Sequence, residues 1–197
     1  VYAIALTLLA FDIRLPGDVV AGNLPVKLIE LAPKILVYLI SFIVIGGAWG
    51  SHQRMLSQIK RGDGVLVWLN LLSLLFVTLL PAVAGLLGRF PGEFIAIICF
   101  AANVILIQLS ALWLWRHASK NGLINAALDP RVVFGVGRRL SLSAAAFALT
   151  LVLAWFNAPI AYVVWIGLFA ILFATDWLSW QQALKTTQLA IPLDGAA

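Results

Sequence analysis

The sequence predicts an all-α membrane protein with six transmembrane helices. Three observations carry that prediction. Of 197 residues, 63% are hydrophobic and 11% charged, with a mean hydropathy of +1.04. Uncharged runs of membrane-crossing length recur along the chain, at 35–51, 64–88, 94–115 and 140–175. Lys and Arg gather in alternate connections between those runs. Soluble domains are about a quarter charged, so this chain has too little polar surface to coat a globule in water. A single Cys excludes a disulfide framework or thiolate metal site, and two His leave little for metal chemistry. The net charge of +5 reads as orientation charge in the loops, with no nucleic-acid partner.

A helix crossing the hydrocarbon needs about 20 apolar residues. The expected spans are about 1–13, 33–54, 64–88, 94–116, 138–156 and 160–184, forming a single transmembrane domain over 1–197. The first run is short, and it ends in Asp12, Ile13, Arg14, Leu15 and Pro16. It has neither the basic leader nor the small-residue cleavage site of a signal peptide. It is therefore read as the outer part of a first helix that begins upstream. The run from 140 to 175 is too long for one crossing, and Asn157-Ala158-Pro159 splits it at a turn signal. Phe134-Gly135-Val136-Gly137 reads as a turn in the preceding connection. In lipid each segment must satisfy its own backbone, which at these lengths selects helices over barrel strands.

The basic residues set the topology. Connections after the second and fourth spans, with the tail, carry Arg54, Lys60, Arg61, Arg116, Lys120, Arg131, Arg138, Arg139 and Lys185. The opposite side carries Arg14, Lys27, Lys34 and Arg89. Nine against four places both termini in the cytoplasm.

Few polar groups lie inside the spans. Asp176 is the only acid there, close enough to its end to pair with Arg138 or Arg139. Asn70, Asn103 and Gln108 read as interhelical hydrogen-bonding groups before ligand-binding ones. Neither His52 nor His117 has a carboxylate at ligand spacing, no nucleophile turn accompanies the scattered Ser, and no enzyme is expected. No Thr-Val-Gly-Tyr-Gly carbonyl filter is present. Gly46 and Gly50 form a small-xxx-small face that favours close packing. Trp49, Trp68, Trp113, Trp115, Trp177 and Trp180 fall near span ends, where interfacial belts sit.

On a helix, Ile4, Thr7, Leu8 and Phe11 occupy i, i+3, i+4 and i+7, a single face. Such a stripe is either ordinary bundle core or the lining of a symmetry axis. In the second case, rings of Ile4 and Leu8 form a neck that stays dry when closed and wets when widened, with Thr7 supplying oxygens to a partly dehydrated cation. Spacing does not choose between them.

Three stretches resemble the prokaryotic relatives of the endolysosomal potassium channel, the transmembrane-protein-175 family. Val1-Tyr2-Ala3-Ile4-Ala5-Leu6-Thr7-Leu8-Leu9, followed by Asp12 to Pro16, is similar to the family's first helix, which a Phe-Ser-Asp signature precedes. Pro33-Lys34 through Ser41, Phe42, Ile45 and Gly46 to Trp49, His52 and Arg54 resembles its second helix, with Ser51 where Asn is usual. Trp68-Leu69-Asn70-Leu71 through Leu80-Pro81 resembles its third. The likeness covers about 1–117, and the last third follows in hydropathy and helix count.

The resemblance implies a homotetramer in a bacterial plasma membrane, with first helices lining a central pore and no re-entrant filter. It implies a constriction at Ile4, with Leu8 and Phe11 further along, potassium preference at Thr7, and a bracing network of Trp49, His52 and Asn70. The expected function is a passive potassium-preferring cation channel without a cofactor, the potassium ion being the permeant species. The alternatives are a secondary transporter of a small solute or a non-conducting scaffold subunit.

Overall fold

The computed structural model describes residues 1–11, 24–126, 128–157 and 159–168. Asp176 and its proposed Arg pairing, Trp177, Trp180, Lys185, Arg14 and the 169–184 part of the sixth span lie outside the described residues. The described chain is helical: α1 Tyr2–Phe11, α2 Leu24–Gln58, α3 Gly64–Arg89, α4 Phe94–Lys120, α5 Pro130–Phe156 and α6 Pro159–Leu168. Helices α2 to α5 are each long and apolar enough to cross a membrane.

Local chemistry explains the boundaries. Asp63 caps α3, its Oδ1 accepting from the Leu66 N–H at 2.7 Å. Helix α4 ends at Asn121 and Gly122, whose φ of +64° suits glycine, and the Leu123 N–H returns to the Ala118 carbonyl at 3.0 Å. Asp129 accepts from the Arg131 N–H at 2.7 Å, with Pro130 in the first turn of α5.

That start corrects the sequence expectation for Phe134-Gly135-Val136-Gly137, which is helical and belongs to α5. The Asp129 cap and Pro130 nucleate the helix ahead of the glycines. Gly137 faces α4, where a Cβ would stand at ordinary contact distance from Leu112 Cδ1 (3.9 Å) and Trp115 Cδ1 (4.0 Å).

Helix α4 is the hub, packed between α3 and α5, while α1 lies against α2 and α3. The main core centres on the fully buried Ile97, Phe100 and Leu80. Helix α6 joins it through Trp165, whose ring lies 5.0 Å from Phe100 and 5.9 Å from Phe147 and whose indole N–H donates to Thr150 at 3.1 Å. A smaller core of Met55, Leu112, Leu114, Trp115 and Leu140 sits where α2 and α4 end and α5 begins. Trp115 is therefore not a belt residue: it is buried, and its Nε1–H donates to the Val133 carbonyl at 3.0 Å. Trp49, Trp68 and Trp113 are exposed, as an interfacial belt requires.

The α2–α3 and α4–α5 connections meet at this end. Ile59 and Ile124 form an antiparallel bridge, the Lys60 N–H reaches the Leu123 carbonyl at 2.8 Å, and the Asn125 N–H reaches that of Gln58 at 2.8 Å.

Candidate functional site

Helix α1 is apolar all round, but its two faces have different fates. Tyr2, Ala5 and Leu9 are buried against the bundle, the last two at 2% exposure. Ile4, Leu8 and Phe11 are 63%, 51% and 66% exposed, and Thr7 is exposed among them. Within the subunit the stripe is thus not core, because Ala5 and Leu9 take that place one position over. The Thr7 hydroxyl donates to the Ile4 carbonyl at 2.8 Å. That bond uses its only proton and leaves the oxygen as an acceptor.

The base of α1 is tied to α2 and α3. The Tyr2 ring lies 5.5 Å from that of His52, and His52 Nε2 is 2.8 Å from Asn70 Oδ1. An amide oxygen only accepts, so the imidazole proton sits on Nε2. His52 is buried, while Trp49, one turn earlier on α2, projects outward at half exposure. The structure brings His52 and Asn70 together and sets Trp49 on the outer surface.

The remaining interior amides join helices. Asn103 Nδ2 donates to the Phe76 carbonyl at 3.1 Å, linking α4 to α3, and Gln108 Nε2 donates to Ser143 Oγ at 2.9 Å, linking α4 to α5. Both amides thus act as the interhelical hydrogen-bonding groups expected from the sequence.

One pairing leaves no local spacing in the sequence. His117 Nε2 donates to Asp63 Oδ2 at 2.7 Å across 54 residues of chain. The Asn121 amide nitrogen stands 3.2 Å from His117 Nδ1, which accepts from it and leaves the ring proton on Nε2. The His117 bond, and after it the Leu66 N–H, hold the Asp63 carboxyl below its ordinary value of 3.8. The readable signal was Asp63 directly before a long apolar run, an N-cap position. No group of three or more His, Cys, Asp or Glu that could hold a metal occurs among the described residues.

Apolar helices whose interior amides are paired to groups on neighbouring helices, and which leave apolar side chains outward on every helix, define a multi-pass membrane protein. The chain belongs to the TMEM175 family. Residues 1–81 match the family model described as endosomal/lysosomal potassium channel TMEM175. A potassium channel of Streptomyces collinus is 32% identical over 168 residues, covering 81% of this chain and 80% of that one. A potassium channel of Chamaesiphon minutus is 29% identical, covering 83% of this chain and 85% of that one. The fold matches the crystal structure of a lysosomal potassium-selective channel TMEM175 homolog from Chamaesiphon minutus. The TM-score is 0.77 at 25% identity, covering 89% of this chain and 91% of that one. The family is one of ion channels, not enzymes.

Proposed function

We propose that this chain is a passive, potassium-preferring cation channel of the bacterial plasma membrane, working as a homotetramer whose α1 helices surround one pore. The observation that carries the reading is the division of α1: Tyr2, Ala5 and Leu9 seat the helix, and Ile4, Thr7, Leu8 and Phe11 form a face that its own subunit leaves uncovered. Four such faces about an axis make an apolar neck. Water leaves a narrow apolar neck, and ions with it, until the helices spread. Relatives named potassium channels support the identity of the ion.

Thr7 supplies the one hydroxyl on that face, and its internal bond to the Ile4 carbonyl leaves its oxygen as an acceptor to receive a cation. Without a carbonyl filter only part of the hydration shell is replaced, so discrimination against sodium is modest. His52, Asn70 and Tyr2 brace the helix from behind, and Trp49 meets the neighbouring subunit or lipid. The excess of Lys and Arg at the end where α2 and α4 finish supports cytoplasmic termini, and Tyr2 packs beside His52 at that same end.

Purified protein in proteoliposomes loaded against a potassium gradient tests the reading. Non-saturating potassium flux, abolished as a net signal when an ionophore collapses the gradient, is the expected result. No flux would leave a scaffold, and saturable flux coupled to a second solute would leave a transporter.

A further inference from the structure

Among the described residues the backbones of α2 and α5 do not pack directly on each other; α4 lies between them. At the basic end their separation opens a cleft of about 240 Å³. Its floor is apolar: Met55 from α2, Trp115 from α4, Leu128 from the connection, and Val132 and Val136 from α5. Its rim carries two guanidinium groups, Arg54 and Arg139, with Ser51, Ser57 and Gln58 beside them. The lining follows helix geometry. Ser51, Arg54, Met55 and Gln58 share one face of α2, and Val132, Val136 and Arg139 share one face of α5. Arg54 Nη1 lies 3.9 Å from where a Cβ at Gly50 would stand, an ordinary contact distance. The Arg54 side chain therefore folds back one turn toward the apolar part of α2.

We propose that this cleft is a binding site for an anionic phospholipid, with its phosphate between Arg54 and Arg139 and an acyl chain running out along the gap between α2 and α5. Charge complementarity selects the occupant. Two guanidinium forks favour a phosphate geometrically as well as electrostatically, and the apolar floor favours a ligand with a hydrocarbon part. The volume falls below the roughly 300–1,000 Å³ of pockets that enclose whole small ligands, which suits a headgroup whose tails leave sideways. Basic pockets between helix ends at the cytoplasmic leaflet are where anionic headgroups concentrate. The inference rests on the orientation proposed above and not on conduction.

Native mass spectrometry of the detergent-purified oligomer tests it by counting retained lipids with phosphatidylglycerol or phosphatidylcholine added. Wild-type protein should retain phosphatidylglycerol in preference to phosphatidylcholine. Arg54→Gln with Arg139→Gln should cut that retention about twenty-five-fold, at about one factor of five per cationic side chain. Val132→Trp, at the exposed edge of the apolar floor, should fill the cleft and lower retention while keeping both charges. Lys60→Gln with Arg61→Gln, basic residues of the same end outside the cleft, should leave it unchanged. Glycerophosphate should not displace the diacyl lipid.

Equal retention of the two lipids, or of phosphatidylglycerol by the Arg pair variant, overturns the proposal. Equal losses in the Lys60/Arg61 variant would reduce it to diffuse surface charge, and displacement by glycerophosphate would make it a free-anion site. Because retention is read without a gradient, its failure is separable from a failure of the flux experiment.

Discussion

Helices α1 and α4 are both apolar, yet they solve opposite problems. Helix α4 is enclosed between α3 and α5, and its polar groups are matched inside the subunit: Asn103 to Phe76, Gln108 to Ser143, Ser110 to its own helix and Trp115 to Val133. Helix α1 does the reverse. It buries a narrow face of Tyr2, Ala5 and Leu9 and leaves three bulky apolar groups and a hydroxyl uncovered. Unmatched buried polar atoms cost free energy, so a scaffold helix must close its hydrogen bonds locally. An apolar face pays no such penalty for lacking a partner in lipid and is available for assembly or for a pore. Scaffold and working surface are thus separable on the chain.

The sharpest test of that separation is in α4. Phe100→Ala removes a fully buried ring that packs on Trp165, and should cost about 3 kcal/mol of stability. Detergent unfolding would read it, while ion selectivity of the folded fraction stays as in the wild type. A change in selectivity would mean that α4 is not merely scaffold. Ile4→Asn acts on the other helix. It should raise resting potassium flux by about tenfold or more, about 1.4 kcal/mol off the barrier to wetting, with little change in unfolding. Unchanged flux would move the constriction away from Ile4.

Thr7→Val is smaller. Loss of one hydroxyl ring should lower potassium-over-sodium preference about fivefold at most, the weight of about 1 kcal/mol, read as a shift of bilayer reversal potential. An unmoved reversal potential removes Thr7 from selectivity.

The smallest effect concerns the anchor at the foot of α4. Asp63 has a folded-state value depressed by the His117 bond, so it adds stability above its ordinary value of 3.8, and that contribution is lost as pH falls below it through the folded value. Unfolding measured between pH 6 and pH 3 should therefore show a shallow acid-side loss that Asp63→Asn abolishes. A slope of equal size in the variant would assign the loss to other carboxylates.

Much of this was legible before any coordinates. The all-helical class and the family follow from apolar runs, basic connections and the first-helix motif, and the interhelical roles of Asn103 and Gln108 follow from the cost of a bare amide in lipid. The orientation of α1 was not legible. Its buried and exposed faces are equally apolar, so periodicity carries no contrast that would tell them apart. Phe134 to Gly137 misled because glycines weigh against a helix locally, while the decisive signals, Asp129-Pro130 and the close packing on Trp115, lie before the glycines and on another helix. The Asp63–His117 pair joins positions 54 residues apart, beyond any motif of fixed spacing. Trp115 looks interfacial by position along the span, and tertiary packing with Met55 of α2 and Leu140 of α5 buries it.

The bridge between Ile59 and Ile124 joins the α2–α3 and α4–α5 connections at the basic face, and at the opposite end residues 90–93 run directly from α3 into α4. Closed at both ends, the two hairpins behave as one block rather than as leaves free to swing apart. Helix α1, which leans on α2 and α3 alone, is the element left to shift against that block, with Tyr2 beside His52 as its foothold.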